Sequence, residues 1–430
     1  MLPLPRRALP RFAEVHQHLP SDSIADPRTD VREKLATVPA FRSGVRGRRI
    51  AITAGSRGIG GFVPLLAGIA DAVRAAGGEP FLVPAMGSHG GATAEGQAEI
   101  LRRLGATPEA TGAPVVSGLA TRELGVAANG AVVHVDRHAI EAGGIVVLGR
   151  VKTHPESAGE LASGLLKMCT IGLGKQAGAQ EAHGHGLWDS VREVPKLQLA
   201  QAPILCGVAV VENGYREPCA IEVVPPRYEA FLEADRRLLE VAKRHLAKIP
   251  FEALDVLVVD ELGKTVSGAG MDPNVIGTWR LEGGPRTPDY RRIAVLSLTD
   301  ASLGNGLGIG MADFTTRRFA ESYDAEVTYV NLLTATEPGG NTREGRLPIA
   351  LESDRAAMEV ALFSSLAGPA PRVCWIRNTA RLDTLWASEA LLEEIDGDGA
   401  LEVVGRPAPL WFDEAGDLAP FPGRADGGRS

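Results

Sequence analysis

The sequence predicts an α/β protein of two α/β domains with mostly parallel sheets, and three observations carry that expectation. An apolar run at residues 49–54 (RIAITA), a stretch with Leu65, Leu66, Ile69 and Val73 at helical spacing, and a second apolar run at residues 80–86 form a βαβ unit, whose strands should lie parallel. The same alternation starts afresh at DVLVVDELGK, just after Ile249-Pro250, which reads as a domain boundary. A length of 430 residues is also long for a single core. The expected division is residues 1–250 as an N-terminal α/β domain and residues 251–385 as a C-terminal one, with residues 386–430 a helix packing back on the first domain and then a disordered tail.

Composition narrows the function classes. Hydrophobic residues make up 44% and charged residues 23%, the balance of an ordinary globular protein. A net charge of -8 supplies no basic footprint for nucleic acid or an anionic membrane. No apolar run reaches the length of about 18 residues that spans a bilayer. The opening MLPLPRRALPRF, broken by prolines and arginines, lacks the apolar region of a signal peptide. Cys169, Cys206, Cys219 and Cys374 form neither a C-x-x-C pair nor a disulfide ladder, so the cytoplasm is the expected compartment.

In chain order, residues 1–45 are rich in Pro and Arg and should wrap the surface, with a short helix at 31–35. The strand at 49–54 opens into GSRGIGG, and the helix that follows closes at Gly77-Gly78. After Met86 comes GSHGGATAEGQAEILRRLG, in which Thr93 caps a helix carrying Ile100, Leu101 and Leu104, with Glu95 in its first turn. His89 thus sits in a Gly-rich strand-to-helix turn suited to a phosphate or carboxylate, or else simply hydrogen-bonds that turn.

Residues 145–148 form a buried strand that opens at Gly149 into a loop with Lys152 and His154. Ser163-Gly164-Leu165-Leu166-Lys167 follows, and a Gly-rich segment leads to His183 and His185. Glycine lets backbone approach a flat ligand closely. A desolvated lysine becomes a nucleophile able to anchor a cofactor, and imidazole is a common ligand for nickel, copper or zinc. Taken singly, each of these residues also has an ordinary structural or solvated role. A strand at 204–211 ends in Glu212-Asn213-Gly214, and an amphipathic helix spans 228–247.

Beyond the boundary, a strand at 256–259 leads to Asp260, Glu261 and Lys264, and then to SGAGMDPNVIGTWR. Strands at 293–298 and 327–333 flank the Gly-rich DASLGNGLGIGMADF, which should lead into a helix. The second domain should end with VCWIRNT, followed by a helix over TLWASEALLEEI. Trp375 and Trp386 read as core residues.

Arg57, His89 and His154 each follow the carboxyl end of an expected strand, where parallel sheets bind ligands. In order, His154, Ser163, Gly164, Lys167 and His183 resemble the H…S-G-x-x-K…H arrangement of the nickel-dependent lactate racemase family, enzymes that racemise or epimerise 2-hydroxy acids. The resemblance implies that Lys167 tethers a nickel-pincer nucleotide, pyridinium-3-thioamide-5-thiocarboxylic acid mononucleotide, with Ser88 and Gly164 beside it, and that His183 completes the coordination of Ni. It implies that His89 and His154 shuttle protons and that Arg57, with Ser56, contacts the substrate. Asp272, Asn274 and Arg280 match fixed positions of the family's D-x-N-x-Y-Q-x-x-K, which implies that Arg280 clamps the substrate carboxylate opposite Arg57, with Lys264 as the next candidate. Departures from the family pattern are Leu165 for the second glycine of S-G-G-x-K, Ala54 for the Asp of D-x-T-R, and Ile276-Gly277 for Tyr-Gln.

The expected protein is therefore an isomerase, a 2-hydroxyacid racemase or epimerase with its site in an interdomain cleft. Its partners would be the 2-hydroxy acid and the enzymes that mature the cofactor, with neither nucleic acid nor membrane. One alternative is a non-catalytic relative that binds a small acid or nucleotide. Another is an NAD(P)-dependent short-chain oxidoreductase, suggested by Thr53-Ala54-Gly55-Ser56-Arg57-Gly58-Ile59-Gly60. Against it, Ala54 takes a glycine position, no acid follows the second strand, and no tyrosine has a lysine four residues on.

Overall fold

The earliest strand, β1 (Phe12–Gln17), does not join the strands that follow it in sequence. A computed structural model describes residues 4–56, 58–154, 160–335, 342–395, 399–419 and 421. Two units emerge, Pro20–Leu246 and Met1–Leu19 with Ala247–Ser430, each built as α/β.

In the unit Pro20–Leu246 the strands are β2 (Arg49–Ala54), β3 (Glu79–Pro84), β4 (Thr121–Val126), β5 (Val132–Asp136), β6 (Gly144–Arg150), β7 (Ile204–Glu212) and β8 (Pro218–Val224). They form one sheet in the order β3-β2-β6-β7-β8 and a separate β4-β5 hairpin. β2 pairs parallel with both β3 and β6, β6 pairs parallel with β7, and only β8 runs antiparallel.

Alternation of side chains explains why these strands read as unbroken apolar runs. Ile50, Ile52, Val146, Leu148, Cys206 and Val208 face one core, shared with the helices Pro27–Ala36 and Phe62–Ala75. Ala51, Ile145, Val147, Ala209 and Val211 face the other, covered by residues 161–191 and by the helix Tyr228–His245. The Phe62–Ala75 helix buries Leu65, Leu66, Ile69 and Val73 as its spacing requires, and the chain turns away at Gly77, φ +81.

The second sheet adds β9 (Ala253–Leu262), β10 (Asp289–Leu298), β11 (Phe314–Thr316), β12 (Ile349–Leu351), β13 (Val373–Asn378), β14 (Arg381–Ser388) and β15 (Leu401–Ala408). Its order is β12-β11-β10-β9-β13-β14-β1-β15, parallel from β12 to β13 and antiparallel thereafter. Trp375 and Trp386 face each other across β13 and β14 with ring centroids 6.0 Å apart, and Phe421 meets Trp375 edge-on at 4.9 Å. The four cysteines form no disulfide. Among the described residues no helix is long and apolar enough to cross a membrane.

Several expectations are corrected. Within the stretch expected to wrap the surface, FAEVHQ is a full strand with Phe12 and Val15 wholly buried, because it supplies the backbone partner for both β14 and β15. The helix expected at 31–35 extends over Pro27–Ala36, with Asp26 accepting from Thr29 N at its start. The helix expected over TLWASEALLEEI is shorter. TLWAS completes β14, Glu389–Ile395 is the helix, and β15 pairs with β1 in the same sheet. The division between the two units falls after Leu246. Residues 327–333 lie in the helix Ala325–Ala335 instead of a strand: Asp324 Oδ1 accepts from Val327 N at 3.0 Å and starts the helix. A short apolar run does not by itself separate helix from strand. The tail from residue 422, expected to be disordered, lies outside the described residues.

The role of β1 has a measurable consequence. Phe12→Ala opens a cavity in a fully buried site and should cost about 3 to 5 kcal/mol. Hydrogen exchange should show lost protection in β14 and β15 while β2 and β6 keep theirs. Uniform protection in both sheets would contradict the strand's placement.

Candidate active site

Polar side chains cluster where β3, β2, β6 and β7 end, because those strands run parallel and send all their carboxyl ends to one edge. The sheet order puts the loop after β2 between the loops after β3 and β6. It thereby supplies the adjacency that sequence alone leaves open. Ser56 Oγ lies 2.5 Å from His89 Nδ1, so the loops after β2 and β3 meet through a side-chain hydrogen bond.

The His89 turn is shaped by glycine. Gly87, Gly90 and Gly91 have φ of +59, +67 and +64, and a Cβ on Gly90 would lie 2.6 Å from the Gly96 backbone. Thr93 Oγ1 accepts from Gly96 N and caps the helix Ala94–Arg103 as expected. Behind the turn, the fully buried Gln97 donates from Nε2 to Gly87 O at 2.8 Å and to His89 O at 3.3 Å. Its Oε1 accepts from Lys175 Nζ at 2.6 Å. Ser88 is half-buried and its carbonyl accepts from Ala92 N, which closes the same turn.

The segment proposed as an anchor is positioned by a distant carboxylate. Asp235, on the helix Tyr228–His245, accepts from Leu165 N at 2.8 Å and from Leu166 N at 3.0 Å, satisfying amides at the start of the short helix Leu165–Lys167. Burial pushes its carboxyl up to about 6, against the pull of the two amides. Gly164 is needed for space: its φ of -177 suits any residue, but a Cβ would lie 2.4 Å from Asp235 Oδ1. Leu165 is wholly buried and packs over Gly149 and Gly207, filling core volume. Lys152 N donates to Ser163 O at 3.1 Å, tying the loop after β6 to the anchor segment.

Trp188, at the start of the helix Leu187–Gln201, gathers two of the expected residues. Lys167 Nζ lies 5.4 Å from its ring centroid, and the His154 ring meets it edge-on at 5.0 Å. A π-helical turn, Met168–Leu173, carries the chain from Lys167 to the helix Lys175–Gly184, whose last turn holds the half-buried His183. Trp188 follows five residues later. His185 is exposed, and its Nδ1 lies 3.0 Å from Glu181 O. The donors expected for an anchored metal cofactor here are the Lys167 amine and the His183 imidazole, and among the described residues no group of three His, Cys, Asp or Glu could hold a metal.

Glu212, at the end of β7, clasps the loop after β2 and the end of β6. It accepts from Gly60 N at 2.5 Å and from Arg150 Nη1 at 2.6 Å, with both side chains largely buried. A Cβ on Gly60 would lie 1.9 Å from Arg216 O. Glycine there admits protein backbone, and an acidic group takes the Gly60 amide, which disfavours a pyrophosphate in the GSRGIGG turn. Arg57, expected to bind substrate, lies outside the described residues.

In the other unit Arg280, expected as a clamp, has partners of its own. Arg280 is buried and donates to Tyr290 O at 2.5 Å, Met311 O at 2.7 Å and Asp313 Oδ2 at 3.1 Å. Its guanidinium stacks near Trp279 and holds its own unit together. Asp272 Oδ1 accepts from Asn274 N and Nδ2, so the D-x-N match is a helix cap. Lys264 follows β9, its ammonium donating to Gly268 O at 2.5 Å.

Sequence reasoning missed Trp188, Asp235, Gln97 and Lys175. A tryptophan just past the His-Gly-His-Gly stretch and a lysine between glycines were visible signals. Asp235 had none, since it acts from a helix 70 residues away from Leu165.

No family model and no curated protein matches the chain. Among solved structures it is similar to the lactate racemase apoprotein from Thermoanaerobacterium thermosaccharolyticum, with a TM-score of 0.47 and 13% identity over 82% of this chain and 86% of that one. It is also similar to a Thermotoga maritima protein, with a TM-score of 0.47 and 13% identity over 65% of this chain and 72% of that one.

Asp235 makes the anchor segment pH-sensitive. A carboxyl that holds its proton more tightly folded than unfolded stabilises most when protonated, and that contribution is lost as pH rises from 3.8 to about 6. Across this interval the unfolding free energy of the wild type, relative to Asp235→Asn, should fall by about 3 kcal/mol. Urea titrations of both proteins at each pH measure it, and a flat difference would show a carboxyl that titrates normally.

Proposed function

We propose that the chain is a racemase or epimerase of a 2-hydroxycarboxylic acid that works with a nickel-pincer nucleotide held by the unit Pro20–Leu246. The observation that carries this reading is the Trp188 ring, which gathers the Lys167 ammonium and the His154 imidazole in one place. Lys167 is the anchor and His183 the metal ligand, in the H…S-G-x-x-K…H order noted above. When bound, the cofactor supplies a reversible acceptor for hydride, the accessible route for C2 of a 2-hydroxycarboxylate, whose hydrogen is a very poor acid.

The chain's own residues manage the hydroxyl proton. His89 and His154 stand on loops that flank the loop after β2, so two bases are available from opposite sides. One takes the proton from the hydroxyl oxygen, and the other returns a proton there when the opposite enantiomer forms. Ser56 orients His89 through Nδ1, and the Trp188 edge contact orients His154. Arg57, next to Ser56 in sequence, is the residue for the carboxylate.

Protein co-expressed with cofactor-maturation enzymes should carry about one nickel per chain, with added mass on the Lys167 peptide. Lys167→Ala should lose both. His154→Ala should keep the nickel and slow racemisation by about 100-fold or more in each direction, since every turnover uses both bases. Matured wild-type protein without nickel or added mass would sink the reading, as would a His89 and His154 double variant as fast as wild type.

A further inference from the structure

The geometry points to Lys175 as a positioning residue that, through Gln97, sets the place of the His89 imidazole relative to the segment carrying Lys167 and His183. This rests on the proposed function only insofar as His89 is taken as a shuttle; the structural relay stands on its own contacts.

Lys175 is the first residue of the helix whose last turn holds His183, and eight residues earlier on the same segment stands Lys167. Its φ is +57, a conformation that non-glycine residues adopt only under constraint from their surroundings. The side chain is wholly buried. Nζ donates to Pro84 O, the last residue of β3, at 2.7 Å and to Gln97 Oε1 at 2.6 Å, and it lies 3.5 Å from Asp136 Oδ2. An ammonium has three protons and no acceptor. Two of them go to fixed acceptors, the ammonium faces the Asp136 carboxylate as an ion pair, and Asp136 is fixed in turn by accepting from Ala139 N through Oδ1. Burial lowers the lysine's proton affinity and raises that of Asp136, and each opposes the other's shift by its charge.

The consequence is directional. Lys175 can only donate, so it forces the Gln97 amide oxygen towards itself and the amide nitrogen towards Gly87 O and His89 O. Those carbonyls belong to a turn whose glycines at positive φ give it little rigidity of its own. The ammonium therefore sets the amide orientation, the amide holds the turn, and the turn presents His89 to Ser56. A group that touches neither substrate nor cofactor thereby registers the anchor segment against a base. Displacements of about 1 Å at a reacting group can cost about 100-fold in rate.

Gln97→Glu isolates the relay. A carboxylate still accepts from Lys175, so the buried charge keeps a partner, but it cannot donate to Gly87 O and His89 O. Gln97→Met removes both functions at similar volume, and the double variant Lys175→Met with Asp136→Asn removes the charge pair without orphaning either charge. The first readout uses protein without cofactor: ring nitrogen shifts of His89 and their pH titration by NMR. All three variants should alter them while leaving those of His185 unchanged. The second readout uses matured enzyme: kcat should fall by about 10- to 100-fold equally in both directions, with KM and nickel content near wild type. Folded variants with wild-type His89 signals would overturn the inference and reduce the network to core packing. A fall in melting temperature unaccompanied by a change at His89 would overturn it likewise. If the matured wild type does not racemise any 2-hydroxy acid, the proposed function fails, and altered His89 signals in Gln97→Glu would still support the relay.

Discussion

Coverage of both faces of the β3-β2-β6-β7 sheet is the constraint on which the unit Pro20–Leu246 depends. With apolar cores on either side, no strand interior has room for an unpaired polar group. Hydrogen-bonding side chains are therefore confined to the strand ends, and parallel pairing sends those ends to one edge. The outermost consequence is Glu212, which closes β7 by holding Gly60 from the loop after β2 and Arg150 at the end of β6. Chemistry concentrates there because the sheet excludes it elsewhere.

Within this frame, buried ionisable groups act as spacers between segments. Asp235 brings the helix Tyr228–His245 against the first turn of Leu165–Lys167, and the pair Lys175–Asp136 joins β3, the Gln97 helix and the Lys175–Gly184 helix. Such groups are weak evidence for net stability, since desolvation offsets much of the attraction, but losing one partner typically costs about 3 to 5 kcal/mol. Their value lies in direction: a carboxylate between two amides or an ammonium among three acceptors tolerates one arrangement. Glycines at Gly90 and Gly164 make the close approaches possible, the first by its positive φ and the second by having no Cβ to meet Asp235.

The unit containing β9 shows how the same residues acquire other roles. Asp272, Asn274 and Arg280 match a substrate-binding pattern in order, yet Asp272 caps a helix turn and Arg280 is enclosed by Tyr290 O, Met311 O and Asp313. A guanidinium bonded to acceptors of its own unit helps hold that unit together.

By itself the sequence determined the α/β class, the βαβ start, and the placement of His89 and His154 just after strands, because period, length and Gly-rich punctuation are local properties. It also carried the spacing of Lys167 and His183. Only the tertiary structure decided strand order, and with it the meeting of Ser56 and His89. It made β1 a strand between β14 and β15, turned residues 327–333 into helix, placed Trp188 between Lys167 and His154, and enclosed Arg280. The physical reason is common to all of these. A side chain's type states which partners it can accept, whereas its actual partner is set by groups tens to hundreds of residues away that only packing brings within hydrogen-bond or ring-contact distance.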